Sequence, residues 1–156
     1  NVGKSALFNR LCGGSAAVSN YPGTTVEIES GRLHGGGREF ELIDSPGMYS
    51  LLPVSEEERV ARQLLIKREP FLVIHVADAK NLERMLPLTL QLLEGGLPTL
   101  LVLNMMDEAD RLGLRIDLEA LQLELGIPVV ATVSTTGRGI DELRRRISSW
   151  AEASPR

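Results

Sequence analysis

The amino-acid sequence predicts an α/β fold, in which helices cover both faces of a mostly parallel β-sheet. Near-continuous apolar runs at residues 71–77, 99–103 and 129–133 are typical of strands buried on both faces. They alternate with segments whose apolar residues recur at helical spacing, and this order builds βαβ units. Polar residues suited to ligand binding follow several strands, at the sheet edge where such folds bind ligands.

The first five residues, Asn-Val-Gly-Lys-Ser, match the second half of a phosphate-binding loop, G-x-x-x-x-G-K-[ST]. In such a loop, backbone N–H groups form a concave anion site at the start of a helix. Gly3 would let the backbone approach a phosphate, Lys4 would reach the β- and γ-phosphates, and the Ser5 hydroxyl would reach Mg²⁺. A bare Gly-Lys-Ser fits an ordinary helix start equally well, so the later motifs decide.

Composition places the chain among ordinary globular domains. Its 156 residues are 43% hydrophobic and 24% charged, which fits one domain with a real core. The net charge of −4 gives no reason to expect a nucleic-acid partner. A single cysteine, Cys12, and the lack of Cys/His clusters with zinc spacing favour a reducing compartment. No apolar run approaches the ~18 residues that span a bilayer.

The first half of the chain begins with a helix over residues 4–11, followed by a polar, Gly/Pro-containing loop over 15–25. Strands are expected at 26–33 and 38–43, joined as an antiparallel pair by a turn of three glycines, 35–37. A helix over 55–67 follows, with Ser55 as N-cap and Glu58 completing a capping box.

The second half adds helices over residues 81–94 and 117–125 and a last helix from Ile140 to Trp150. We expect a domain over residues 1–150 and a tail over 151–156 that frays or begins a linker or helical domain. Because a phosphate loop must follow a strand and none precedes Asn1, we expect the first, central strand to be missing from this sequence, so that the domain is N-terminally incomplete.

Two loops are candidates for a metal and phosphate site. Asp44 ends a predicted strand and begins Asp-Ser-Pro-Gly, so that its carboxylate could hold Mg²⁺ through water while the Gly47 N–H approaches a γ-phosphate. Thr25 closes the loop before the first antiparallel strand and could reach the same Mg²⁺. Taken alone, each fits an ordinary turn or loop residue.

Asn104 and Asp107 follow the apolar run 99–103 and could both address a purine. The Asp107 carboxylate accepts from two adjacent donors, the ring N–H and the exocyclic amine of guanine, which adenine lacks. The alternative is that Asp107 only caps a helix. Ser134 and Thr135 follow the last apolar run, where backbone N–H groups could contact the carbonyl group of the base. Together the motifs have the order of a Ras-like GTP-binding domain.

Several stretches resemble the cytoplasmic G domain of the bacterial ferrous iron transporter FeoB family. They are residues 20–27 (Asn-Tyr-Pro-Gly-Thr-Thr-Val-Glu), 81–84 (Asn-Leu-Glu-Arg), 88–94 (Leu-Thr-Leu-Gln-Leu-Leu-Glu), 103–109 (Leu-Asn-Met-Met-Asp-Glu-Ala) and 133–139 (Val-Ser-Thr-Thr-Gly-Arg-Gly). The resemblance runs from Asn1 to about Trp150. It implies a Ras-like P-loop GTPase fold that binds GTP or GDP.

The resemblance also assigns residues to ligands. It implies that Lys4 and Ser5 bind phosphate, that Ser5, Thr25 and Asp44 hold Mg²⁺, and that Lys4, Thr25 and Gly47 act in catalysis. Asn1 matches an asparagine that helps to hold K⁺ in potassium-activated relatives, although it could instead shape the loop as an Asx turn. The guanine contacts fall to Asn104, Asp107 and Ser134, and the site is lined further by Val2, Gly3, Ala6, Thr24, Met105 and Thr135.

The implied function is a GTPase that regulates or drives Fe²⁺ uptake through a membrane domain of the same full-length protein, on the cytoplasmic side of the bacterial inner membrane. A homo-oligomer is compatible with it. Met48 stands where Ras-like enzymes place a water-orienting glutamine, so hydrolysis should be slow, with potassium as a candidate activator. The switch segments would be residues 15–27 and 44–62. The alternatives are an Era-like, RNA- or ribosome-associated GTPase and a nucleotide switch with negligible catalysis.

Overall fold

The computed structural model describes residues 2–154. Its helices are α1 (Lys4–Cys12), α2 (Glu56–Lys67), α3 (Leu82–Glu94), α4 (Met106–Arg111), α5 (Leu118–Leu125) and α6 (Ile140–Ala153). Its strands are β1 (Ala17–Asn20), β2 (Glu27–Gly35), β3 (Arg38–Asp44), β4 (Val73–Asp78), β5 (Thr99–Asn104) and β6 (Val129–Ala131). A short 3-10 turn, Ala79–Asn81, joins β4 to α3.

The strands β1, β2 and β3 form an antiparallel sheet in that order. The predicted hairpin between β2 and β3 is confirmed, and its turn places Gly36 and Gly37 at φ 58° and 76°, the positive values that a two-residue turn of this kind requires. The expectation of a loop throughout 15–25 was wrong, because Ala17–Asn20 pairs with β2. All four side chains of β1 are exposed, so this strand rests on backbone hydrogen bonds and has no hydrophobic pattern to reveal it.

The strands β4, β5 and β6 form a parallel sheet with β5 in the centre. All six residues of β5 are buried, as the continuous apolar run predicted. The carboxyl ends of β4 and β5 lie side by side, with Asp78 paired to Asn104 in the register. This arrangement confirms the predicted α/β class with parallel strands and brings the polar residues that follow these strands to one edge.

No strand pairing joins β3 to β4 within residues 2–154. Between the two sheets lies a cavity of about 490 Å³, with mostly apolar walls from β3, β4, α1 and α6. Its lining includes Leu7, Leu42, Ile74, Ile147 and Trp150. The helix α1 borders this cavity through Leu7.

The helices follow the sequence pattern with two differences. The capping box at the start of α2 is present, with the Glu58 N–H donating to Ser55 Oγ at 3.1 Å. The helix α6 continues to Ala153, beyond the predicted end at Trp150, because Ala151 is buried against the β2–β3 turn, where Gly36 lies. The short helix α4 was expected only under the alternative that Asp107 caps a helix. Among the described residues, no helix is both long and apolar enough to cross a membrane.

Candidate functional site

The N-terminal end of α1 meets the C-terminal end of β3. Lys4 Nζ donates to Asp44 Oδ1 and to the backbone carbonyl of Ser45, and Ser5 Oγ donates to Asp44 Oδ2 at 3.4 Å. The side chain of Asp44 is only 9% exposed, whereas that of Lys4 is 32% exposed. The structure therefore brings together the lysine, hydroxyl and carboxylate that the sequence predicted for phosphate and Mg²⁺.

Gly3 precedes α1 and has a left-handed backbone with φ 75°. A Cβ at this position would lie 2.4 Å from Asn104 Nδ2 and 3.4 Å from Ser134 Oγ. The sequence assigned this glycine to close approach of a phosphate. The structure shows a second reason for it, because the backbone here packs directly against Asn104.

Asn104 links the start of the chain to the loop after β6. Its Nδ2 donates to the Val2 carbonyl and to Ser134 Oγ, both at 2.9 Å. Its Oδ1 accepts from Thr132 Oγ1 at 2.9 Å and from the Ser134 N–H at 3.0 Å. The side-chain amide thus uses both donors and both acceptor positions within the protein. Any contact from Asn104 to a base would require one of these bonds to be exchanged.

The two threonines before β2 have different environments. Thr24 Oγ1 donates to the Tyr21 carbonyl at 2.9 Å and accepts from the Val26 N–H at 3.1 Å, so this hydroxyl stabilises the turn. Thr25 is exposed and lines a cleft of about 330 Å³ that also contains Lys4 and Asp44. The cleft is acidic, because its other lining residues include Glu27, Glu29 and Glu57. No role was predicted for these three glutamates from the sequence.

Asp107 lies in the first turn of α4, not at the N-cap. The N-cap is Met105, which has a left-handed backbone with φ 61° and makes no side-chain capping bond. The alternative interpretation of Asp107 as the cap is therefore wrong. Its carboxylate is partly exposed and lies 3.6 Å from Arg111 Nη1.

Lys80 supports this corner of the site. Its Nζ donates to Glu108 Oε1 at 3.0 Å and contacts Met105 Sδ at 3.8 Å. Hydrogen bonds to Glu108 and then to Asp78 raise the pKa of Lys80 above its usual value. The lysine joins the end of β4 to the start of α4, a link with no signal in the sequence.

The loop after β6 has most of its N–H groups engaged. The Ser134 N–H donates to Asn104, and those of Thr136 and Gly137 donate to the Val133 carbonyl at 3.1 and 2.9 Å. The Thr135 N–H has no acceptor among residues 2–154, and Thr135 is exposed. One donor of this loop is thus available to a ligand.

The loop after Asp44 begins in the cleft, which Ser45 and Pro46 line, and then lies against α3. The Leu51 N–H donates to Gln91 Oε1 at 2.7 Å, and the guanidinium of Arg84 lies 4.9 Å from the Tyr49 ring centroid. Gly47 is exposed. Ala6 lies within the first turns of α1 and is half-buried. Asn1, predicted to hold K⁺, is outside the described residues.

The chain matches one protein family over nearly its whole length. A family model described as ferrous iron transport protein B matches residues 1–147. The Fe(2+) transport protein A/Fe(2+) transporter FeoB fusion protein of Porphyromonas gingivalis is 49% identical over 144 residues, which are 92% of this chain and 17% of that protein. The Fe(2+) transporter FeoB of Escherichia coli is 43% identical over 154 residues, 96% of this chain and 20% of that protein. The chain spans about a fifth of the length of these relatives.

Solved structures agree with this match. The cytosolic domain of the T. maritima FeoB iron transporter in a GDP form has a TM-score of 0.93 and 44% identity, covering 100% of this chain and 61% of that one. The G domain of the same transporter has a TM-score of 0.87 and 44% identity, covering 97% of this chain and 92% of that one. These matches confirm the predicted Ras-like GTPase fold. The chain belongs to the ferrous iron transport protein B family, in which it is similar to the G domain.

Proposed function

We propose that this chain binds GTP and hydrolyses it to GDP and phosphate. The observation that carries the proposal is that Asp44 meets Lys4 and Ser5, which are 40 and 39 positions away in sequence, at the N-terminal end of α1. A lysine, a hydroxyl and a carboxylate at a helix N-terminus form a site for an anion with its metal. The solved structures of the T. maritima FeoB cytosolic domain include a GDP form and a GMPPNP form.

The donor set fits Mg²⁺. Ser5, Thr25 and Asp44 offer oxygen atoms only, and Mg²⁺ prefers one or two carboxylates supplemented by water and substrate phosphates. Within residues 2–154 no cluster of three or more acidic, His or Cys side chains could hold a metal, which fits an ion that shares its ligands with the nucleotide. Bound there, Mg²⁺ would neutralise charge on the phosphates. Lys4 would exchange its bond to Asp44 for the phosphate oxygens.

Guanine would be recognised at the other end of the site. The Asp107 carboxylate would accept from the ring N–H and the exocyclic amine. The Thr135 N–H, which has no acceptor among residues 2–154, would donate to the carbonyl oxygen at C6. We propose that Asn104 and Ser134 act mainly by holding these groups, because both side chains are buried and bonded to each other. Adenine would leave Asp107 without its two donors, a strong penalty.

Substitution of Asp107 tests this recognition. Asp107→Asn replaces one acceptor oxygen with an amide donor, so GDP affinity should fall at least tenfold. Xanthosine diphosphate has a carbonyl in place of the exocyclic amine, so the variant should bind it more tightly than the wild type does. Asp110→Asn is the matched control, since Asp110 is also on α4 and lies 3.5 Å from Arg138. Unchanged preference in Asp107→Asn would contradict the proposed guanine site.

We propose a slow catalytic step. Lys4 would stabilise charge on the γ-phosphate, Thr25 would close over it, and the Gly47 N–H would donate to it. Met48 has no group that can orient water, so backbone groups would position the nucleophile. Phosphate release from GTP with Mg²⁺, compared in KCl and NaCl, tests both turnover and its stimulation by K⁺. Turnover in neither salt would favour a nucleotide switch without useful catalysis.

We further propose that GTP use serves Fe²⁺ transport by a membrane part of the full-length protein, with this domain on the cytoplasmic side. The support is that the relatives from Porphyromonas gingivalis and Escherichia coli are Fe(2+) transporters, and this chain matches 17% and 20% of their length. Iron uptake by cells that express the full-length protein with Lys4→Met should fall to background, whereas Arg145→Gln, a solvent-facing change, should leave uptake intact. Full uptake with Lys4→Met would contradict this role.

A further inference from the structure

Arg10, in the last turn of α1, reaches across to the loop after β6. Its Nε donates to the Ser134 carbonyl at 2.5 Å and its Nη2 donates to the Thr135 carbonyl at 2.8 Å. The sequence motifs assigned no role to this residue. A guanidinium presents several donors in a rigid plane, so a single side chain can hold two successive carbonyl groups.

Gly137 makes room for this contact. A Cβ on Gly137 would lie 2.8 Å from Arg10 Nη1, so the guanidinium occupies the space that a side chain would take. The backbone of α1 is itself bonded to α6, because Arg144 Nη2 donates to the Arg10 carbonyl at 2.5 Å. Arg10 is therefore bonded to α6 through its backbone and to the loop through its side chain. A shift of α1 would move this contact.

The contacts of Arg10 restrain one backbone donor, the Thr135 N–H. The Thr135 N–H belongs to the peptide unit whose carbonyl is that of Ser134. With this carbonyl bonded to Arg10, the orientation of the unit is restrained, and the Thr135 N–H has no acceptor among the described residues. The same helix begins at Lys4 and Ser5. Arg10 thus connects the helix that would hold the phosphates to the donor that would meet the base.

We propose that Arg10 is a positioning residue for base recognition, which holds the Thr135 N–H in place for the C6 carbonyl oxygen of guanine. The inference rests on the proposed function. It differs from a purely structural role, in which loss of Arg10 would weaken every guanine nucleotide equally. An atom-specific probe separates the two.

The test compares GDP with 6-thio-GDP, which keeps both donors to Asp107 and replaces only the C6 oxygen with sulfur, a weaker acceptor. The wild-type full chain should bind GDP more tightly than 6-thio-GDP. In Arg10→Gln, GDP affinity should fall by about tenfold, 6-thio-GDP affinity should fall less, and the ratio should approach one. If Arg10→Gln fails to fold, Arg10→Lys replaces it in the test. Lysine keeps the charge but lacks the planar guanidinium, so the ratio of the two affinities should again move toward one.

Arg145→Gln is the control, since Arg145 is an exposed arginine whose bonds go to Glu142 on its own helix. It should leave both affinities unchanged. Wild-type protein that binds neither nucleotide would overturn the proposed function and this inference with it. Wild-type discrimination that survives in Arg10→Gln and Arg10→Lys would overturn the inference and leave the proposed function standing.

Discussion

Asn104 Nδ2 donates to the carbonyl oxygen of Val2 at 2.9 Å, across 102 positions of sequence. The bond joins the end of the central strand β5 to the residue just before the phosphate-loop glycine. It makes the proposed base site and the proposed phosphate site parts of one hydrogen-bonded unit. A nucleotide that binds one end would therefore meet an already ordered other end.

Asn104→Ala should destabilise the protein by about 3 kcal/mol, because it leaves buried partners on Thr132 and Ser134 without their hydrogen bonds. Guanine nucleotide affinity should also fall, since the loop that carries Thr135 loses its support. Urea unfolding and GDP titration measure the two effects. A variant as stable as the wild type would show that the four hydrogen bonds make no net contribution to the free energy of unfolding.

Gly3→Ala should cost at least about 1 kcal/mol from the left-handed backbone alone, and more from the 2.4 Å approach of its Cβ to Asn104 Nδ2. The two causes separate in a double-mutant cycle. In an Asn104→Ala background the clash is gone, so the cost of Gly3→Ala should shrink by about 1 kcal/mol. Additive costs would show that Asn104 is not the neighbour that requires glycine here.

His75, on β4, should make the stability depend on pH. Its ring is buried, its Nδ1 lies 2.8 Å from Thr89 Oγ1, and burial lowers its pKa from 6.5 to about 4. The unfolded chain takes up a proton below pH 6.5 and the folded protein does so only near pH 4, so stability falls as the pH drops through this window. The loss by pH 4 is about 3 kcal/mol.

Urea unfolding at pH 7 and pH 4.5 measures this dependence. The double variant His75→Leu with Thr89→Val removes the titrating ring and its partner together, so it should lose most of the pH dependence between those values. His34→Leu is the control, because His34 is exposed on β2 and should leave the dependence in place. Equal slopes in wild type and the double variant would exclude His75 as the cause.

Met48→Gln should speed GTP hydrolysis by between about tenfold and a hundredfold, because an amide side chain can orient the attacking water and a thioether cannot. GTP affinity should stay close to that of the wild type. Met48→Leu, which changes shape but adds no polar group, should leave turnover unchanged. Equal turnover in all three proteins would mean that backbone groups alone position the water.

The sequence predicted the elements whose physical cause is local. The buried strand β5 followed from its continuous apolar run, the start of α2 from the Ser55–Glu58 box, and the hairpin turn from successive glycines at 36 and 37. It also predicted that Lys4, Ser5 and Asp44 would meet, because each stands beside the end of a regular element. The strand β1 was not predicted, because all its side chains are exposed and it forms only by pairing with β2.

By itself, the sequence determined the family, the α/β class and the residue types of the proposed site, because these rest on motifs and local periodicity. Only the tertiary structure decided which polar atoms of the proposed site form hydrogen bonds within the protein and which could bond to a ligand. It showed that the side-chain amide of Asn104 makes all of its hydrogen bonds within the protein. The Thr24 hydroxyl bonds within its own turn, whereas Thr25 lines the cleft. Arg10 donates a hydrogen bond to the loop that contains Thr135. Hydrogen bonds between residues far apart in sequence depend on the packing of whole elements, so no local pattern carries them.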